Sequence, residues 1–510
     1  MKTNEELLKL SAVELRRRIG SKEISPVELL EACIERIERI NPAVNAVTAV
    51  CYSRARDEAG AAEKAALRGD QLGLLHGLPA GIKDLEETGG LLTTFGSPLY
   101  RDFIPERDNA MVARVRAAGA IVVGKTNVPE FGAGANSRNL VWGATGNPFD
   151  PMLNAGGSSG GSAVALACNM LPVCTGSDTG GSLRIPAAKC GVIGFRPSPG
   201  LVPVERRSLG WTPISVVGPM GRTVADTCLL MAAQAAMDDC DPLSYPVDSR
   251  AFALPEPRDL GSLRIAYTED FGICPVDKPI RQVFREKIGA MRHLFRSCDE
   301  VAFDLFADAD RCFDVIRAAN YAARYRDAYE KDPGSLGPNV RANYEIAAGM
   351  TMADVAWAHV EQTRMFRRFQ QTYRDYDLVL APTTPVSPFP WSQLYLAEMD
   401  GKPLRNYYHW LSLTYVVTLV TNPAIALPCG VDHKGMPFGL QIVAPFRQDH
   451  ALLSASHAME QAFAAIPSLR RPVPDISKLA QPTPALKSIV THPPKAGTPM
   501  AACAARVAEV

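Results

Sequence analysis

The chain has 510 residues, 47% hydrophobic and 21% charged, enough to bury a large core and unlike a disordered or fibrous chain. Lys plus Arg (54) balances Asp plus Glu (54) without a dense basic block, so no global field favours nucleic acid or an anionic membrane. Small substrates without strong charge are expected, with neither nucleic acid nor membrane as partner.

The opening "MKTNEELLKLSAVELRRRIG" is acidic where a signal peptide would be basic and apolar, and no apolar run approaches ~18 residues, which predicts a cytoplasmic location. Ser11 with Glu14, and Ser25-Pro26 with Glu28, are capping patterns that start two amphipathic helices. In the second, Leu29, Leu30, Cys33, Ile34, Ile37 and Ile40 recur at helical spacing, and Asn41-Pro42 is read as its stop. Residues 1–70 are thus expected to form a helical region packed on the core, and they are the candidate surface for a homodimer.

From about 74 to 225 the texture changes to short apolar runs broken by glycine: "GLPAGIKD", "GAIVVGKTN", "LPVCTGSDTGG" and "CGVIGFRPS". These read as buried strands alternating with helices at 109–118 and 161–170, an α/β arrangement. Further helices are expected at 278–297, 351–376 and 450–465, with strands at "DLVLAPTTP", "AIALPCG" and "FGLQIVAP". "WLSLTYVVTLV" (410–420) is too short to span a bilayer and is read as core. The proline-rich segment 472–510 is expected to wrap the surface or stay partly disordered. Twelve cysteines run from Cys33 to Cys503 without a CxxC pair, and Cys168 and Cys174 are read as buried free thiols rather than metal ligands.

Four motifs invite chemistry. "GAIVVGKT" (119–126) matches the phosphate-binding loop with Lys125 in the lysine position, but Ala-Ile-Val-Val between its glycines prefers a strand to a loop. "GSSGG" (157–161) matches the nucleophile elbow and would make Ser159 an esterase nucleophile. No strand-like run precedes it, and His433, His450 and His457 have no distinguishing context. "GIKD" (81–84) sets Lys83 in an apolar stretch, where desolvation would favour a neutral amine able to act as a base, although most lysines are solvated surface charges. The fourth is "GSDTGGSLRIPA" (176–187), a second Gly/Ser loop soon after "GGSSGGSAVA" (156–165).

Together, "GGSSGGSAVALACNMLPVCTGSDTGGSLRIPAAKCGVIGFRPS", "GIKD", "GKTNVPEF", "APTTP", "NPAIALPCG" and "FGLQIV" resemble the amidase signature family, over about residues 5–470. The resemblance implies a catalytic domain at 71–471, its signature block at about 150–200, on an α/β fold with a large mixed sheet between helical layers. It implies an amidase, without metal or cofactor, that cleaves small amides and extends to esters or carbamates. Lys83, Ser158 and Ser182 match the family's lysine, cis-serine and nucleophilic serine, with a cis bond expected at Gly157–Ser158. The backbone amides of Thr179, Gly180, Gly181 and Ser182 would form the oxyanion hole, glycine leaving room for them to turn inward. Ser159, Asp178 and Arg184 would support these loops. Variable segments would shape the substrate pocket: 131–143 with Gly132, Ala133 and Trp142, 204–213 with Trp211, the helical region around Tyr321 and Tyr325, and 407–415 with Trp410 and Tyr415. These aromatics suggest an apolar or aryl group, while Arg206 and Arg207 could recognise a carboxylate. Two further readings stand beside this one. One is a glutamine amidotransferase A subunit that works with partner subunits; the other is a silent binding protein.

Overall fold

In the computed structural model, which describes residues 4–495 and 498, the short apolar runs become eleven strands of one sheet. They are β1 (Val47–Val50), β2 (Pro79–Lys83), β3 (Ile121–Thr126), β4 (Val173–Asp178), β5 (Ile193–Arg196), β6 (Val216–Gly221), β7 (Arg264–Tyr267), β8 (Ser297–Glu300), β9 (Leu378–Pro382), β10 (Ala424–Val431) and β11 (Pro437–Val443). Their spatial order is β1-β3-β2-β4-β6-β5-β10-β11-β9-β7-β8. β2 runs parallel to both β3 and β4, and β7 to both β8 and β9, whereas the remaining neighbours are antiparallel, so the sheet is mixed. Every residue of β2, β3, β6, β9 and β11 is buried, as expected for strands covered by helices on both faces.

The helices differ from the sequence reading where tertiary context overrides local signals. Pro42 does not end its helix, which spans Pro26–Val44. A proline this close to the C-terminus removes only one intrahelical bond, and left-handed Asn45 closes the helix by donating to Asn41 O at 2.7 Å. The region 1–70 is not purely helical: β1 lies within it and pairs antiparallel with β3 at the sheet edge. The helix expected over 278–297 stops at Met291, and Ser297 begins β8, aligned with Arg264 of β7. Val224–Gln234 forms a helix buried almost all round, which leaves no amphipathic periodicity to read.

The proline-rich tail wraps the surface as far as it is described: Thr483 N–H donates to Pro42 O at 3.1 Å, and Leu486 is buried with Ala144 and Trp391. The rest of the expected tail, with Cys503, lies outside the described residues. Cys168 and Cys174 are buried free thiols, and burial pushes both up to about 12. The 410–420 run is core, largely as the helix Ser412–Leu419. Among the described residues no helix is long and apolar enough to cross a membrane.

Candidate active site

Adjacent parallel strands β2 and β4 bring their C-terminal ends together, placing Lys83 beside Ser177 and Asp178. Gly81 permits that approach, since a Cβ there would stand 2.8 Å from Leu171 Cδ1 and 3.0 Å from Cys174 Sγ. Lys83 is fully buried, and its Nζ lies 2.7 Å from Ser158 Oγ, 2.7 Å from Ser159 Oγ and 2.9 Å from Ser177 Oγ. Burial pushes the ammonium pKa down to about 7, against the opposing pull of Glu86 and Asp178. An amine so placed is readily neutral and already in contact with hydroxyls.

The Gly157–Ser158 peptide is cis, as expected. Ser159 N-caps the helix Gly160–Ala167, whose first turn presses against β3: a Cβ on Gly161 would stand 2.2 Å from Asn127 N. Ser159 N–H donates to Ser182 O at 3.2 Å, tying the two Gly/Ser loops together. Among the described residues no strand leads into Ser159 and no histidine lines the cavity beside it, so the nucleophile elbow lacks both its geometry and its base. Lys125 sits inside β3, where its Nζ is held by Glu86 O and by Thr88 Oγ1, the latter at 3.0 Å; it lies in no phosphate-binding loop.

Between β4 and the helix Arg184–Cys190 the chain folds around the Asp178 carboxylate. This group accepts from Gly181 N–H (2.8 Å), Leu183 N–H (3.1 Å), Arg184 Nε (3.0 Å) and Nη2 (2.9 Å), and Arg196 Nη1 (3.2 Å). Burial alone would raise its pKa, but the charges of Arg184 and Arg196 win and hold it well below the usual range. Arg184 also donates to Gln441 Oε1 at 2.6 Å, locking the loop to β11. Gly181 has φ +122, and a Cβ there would meet Thr414 Oγ1 at 2.3 Å, so this position requires glycine. Because the Gly181 amide already serves Asp178, the expected four-donor oxyanion set is reduced. The amides of Thr179, Gly180 and Ser182 donate to no protein acceptor among the described residues.

Ser158, Ser177, Thr179 and Ser182 open on one cavity of about 200 Å³. Its other walls include Glu86, Phe131, Gly132, Arg206, Arg207, Arg317, Tyr321, Arg324 and Tyr325. Of the expected pocket residues, Gly132 lines it, its position leaving 3.3 Å between a would-be Cβ and Ser158 Oγ. The others do not. Ala133 packs behind it with Tyr321 and Tyr325. Trp142 turns its Nε1 to Thr94 Oγ1 at 3.0 Å. Trp211 is 80% exposed away from the cavity. Tyr415 is fully buried and stacked on Phe313 at 4.4 Å, and Trp410 is buried against Phe389. Large rings were drawn into the core by the area they bury, a pull the sequence does not distinguish from a pocket role. Arg317 was not recognised from sequence; its only signal is helical spacing with Tyr321 and Tyr325 on the helix Ala309–Lys331.

The family model described as Amidase matches residues 28–453. The chain is 33% identical over 463 residues to an acylamidase of Rhodococcus erythropolis, covering 90% of this chain and 96% of that one. It is 32% identical over 473 residues to the A subunit of the glutamyl-tRNA(Gln) amidotransferase of Acaryochloris marina, covering 88% and 97%. The crystal structure of a bacterial aryl acylamidase matches with a TM-score of 0.81 at 27% identity, over 94% of this chain and 98% of that one. A 6-aminohexanoate cyclic dimer hydrolase matches at 0.80 and 27%, over 92% and 100%. With a family match across most of its length and relatives aligned nearly end to end, the chain belongs to the amidase signature family of enzymes acting on C–N bonds.

Proposed function

We propose that the protein is an amidase that hydrolyses small carboxamides through Ser182, Ser158 and Lys83. The observation that carries this reading is the 2.7 Å contact of the fully buried Lys83 Nζ with Ser158 Oγ, on a cavity that Ser182 also lines. A free serine hydroxyl is a weak nucleophile and needs a base. Neutral Lys83 takes the Ser158 proton as Ser158 takes that of Ser182, and Ser182 Oγ attacks the amide carbon. The developing oxyanion is met by the amides of Thr179, Gly180 and Ser182, each such donor typically worth ~10²–10³ in rate. Collapse returns the proton through Ser158 to the leaving nitrogen, and water then cleaves the acyl-enzyme. Ser177 and Ser159 orient the amine, while Asp178 and Arg184 hold the loop that presents Ser182.

Phe131, Tyr321 and Tyr325 around the cavity favour an apolar or aryl portion of the substrate. Esters and carbamates present the same carbonyl chemistry. The amidotransferase relatives support a second reading, a subunit that hydrolyses glutamine for partner subunits. Release of acid and amine by the purified chain from primary amides, anilides, carbamates and glutamine, with Ser182→Ala as blank, separates the two. Turnover of amides or anilides by the chain alone supports the amidase; turnover of glutamine alone, or of nothing until partner subunits are added, supports the second reading.

A further inference from the structure

A charge inside the cavity has no counter-charge. Arg317 is 6% exposed and lines the cavity, yet it forms no ion pair among the described residues. Its Nε donates to Asn343 Oδ1 (3.0 Å) and its Nη2 to the hydroxyls of Tyr321 (3.1 Å) and Tyr407 (2.8 Å). The guanidinium also lies over the rings of Tyr321 and Tyr408, at 4.9 and 5.1 Å. Nη1 has no hydrogen-bond partner among the described residues. Neutral hydroxyls and ring faces fix the orientation of a guanidinium but supply no formal negative charge, and a buried ion without one is costly.

The other cavity arginines differ. Arg207 is paired with Asp241 at 2.8 Å, and Arg206 is paired with Glu87 and lies 3.7 Å from Glu205. Exposed Arg324 lines the cavity mouth over Tyr325 without an ion pair among the described residues. Among the carboxylates, Glu86 accepts from Asn109, and burial raises its pKa. Arg317 is also close to the chemistry. Phe313 packs against Gly180, whose would-be Cβ lies 3.3 Å from Phe313 Cζ, and Arg317 follows one helical turn later, a rise of about 6 Å.

We propose that Arg317 is a specificity determinant that binds a carboxylate on the amide substrate. The class is thus amides whose acyl chain or leaving amine carries an acid group, and this rests on the amidase reading above. A planar guanidinium with a free Nη1 suits a carboxylate, and such a charge-assisted bond in a shielded cavity favours the acid over its neutral analogue by about tenfold or more.

The test compares matched pairs. Glutaryl against valeryl 4-nitroanilide places the acid on the acyl side; 4-butyramidobenzoate against butyranilide places it on the leaving side. The expected result is a preference of about tenfold or more in kcat/KM, through KM, for the acid member of one pair, falling toward one in Arg317→Met and retained in part in Arg317→Lys. No preference in either pair overturns the proposal, as does a preference that survives Arg317→Met, which would leave Arg317 a packing residue. Should Arg317→Met fail to fold, the wild-type preference and Arg317→Lys decide. If no amide is turned over, the amidase reading fails instead, and calorimetry of glutarate against valeramide with the wild-type protein decides the anion site: binding of glutarate alone supports it, and equal or absent binding overturns it.

Discussion

Lys83 and Lys189 are both fully buried, and burial pushes both ammonium groups down to about 7, yet their surroundings differ in kind. Lys83 Nζ meets three serine hydroxyls at the floor of a cavity. Lys189 Nζ meets Asn154 Oδ1 at 3.1 Å and the ring faces of Phe389 and Trp410, at 4.7 and 5.0 Å, away from that cavity. The same desolvation thus acts on an amine that faces hydroxyls and a cavity in one place and on an amine packed against rings in the other. A lowered lysine pKa reports burial; a chain of transferable protons leading to an open space is what makes it useful.

Substitutions can break or sharpen this contrast. Ser182→Ala is expected to have the largest effect, lowering kcat/KM on the order of 10⁴-fold or more on any amide the wild type cleaves, followed by amine release. Lys83→Met should cost about 10²–10⁴-fold and remove the pH dependence of the base. In the wild type, kcat/KM should rise as pH passes through about 7, where Lys83 loses its proton. A Lys83→Met enzyme as active as wild type would erase the distinction between the two lysines.

Ser159→Ala removes one of three hydroxyls around Lys83 and should cost about tenfold, through kcat, as one hydrogen bond to a charged or basic group does. If it instead abolished turnover while Ser182→Ala did not, the elbow reading of Ser159 would return. Lys189→Met should change kcat/KM least, and its signature is in stability. Lys189 has a folded pKa near 7 against about 10.4 unfolded, so between those values the unfolded chain binds more protons and wild-type stability rises with pH. The stability of Lys189→Met relative to wild type should therefore be greatest near pH 7 and shrink by about pH 9.5, read from denaturant unfolding at both. A difference that does not change with pH would mean that Lys189 is not held neutral.

How much was legible follows from where the information lies. The floor is written in two loops and one strand, and each requirement leaves a local mark. Gly161 and Gly181 stand where a Cβ would collide with Asn127 N and Thr414 Oγ1, and the apolar run around Lys83 made burial one of two readings, beside a solvated surface charge. The cavity wall left a coarser mark: the segments 131–143 and 204–213 and the helix around Tyr321 and Tyr325 were expected there and do line it, but which of their side chains face the cavity was not legible. Phe131 and Arg206 come from two separate segments and Arg317 and Tyr321 from a third, and nothing local tells an aromatic that lines a cavity from one that fills the core, as Trp410 and Tyr415 do. The same holds for charge. Arg206 and Arg207 stand out as a basic pair, but Glu87 and Asp241 already occupy them.

The sequence by itself determined the α/β class and the glycine-rich loops, because strand patterning and glycine placement are imposed by backbone sterics over short distances, while the polar groups at the floor were implied by the family resemblance. Only the tertiary structure decided that the Gly181 amide donates to Asp178 and that Trp211 faces solvent. It alone left Arg317 without a carboxylate inside the cavity. Those outcomes depend on which distant partners satisfy each buried donor and charge, and that accounting closes only when the whole chain has packed.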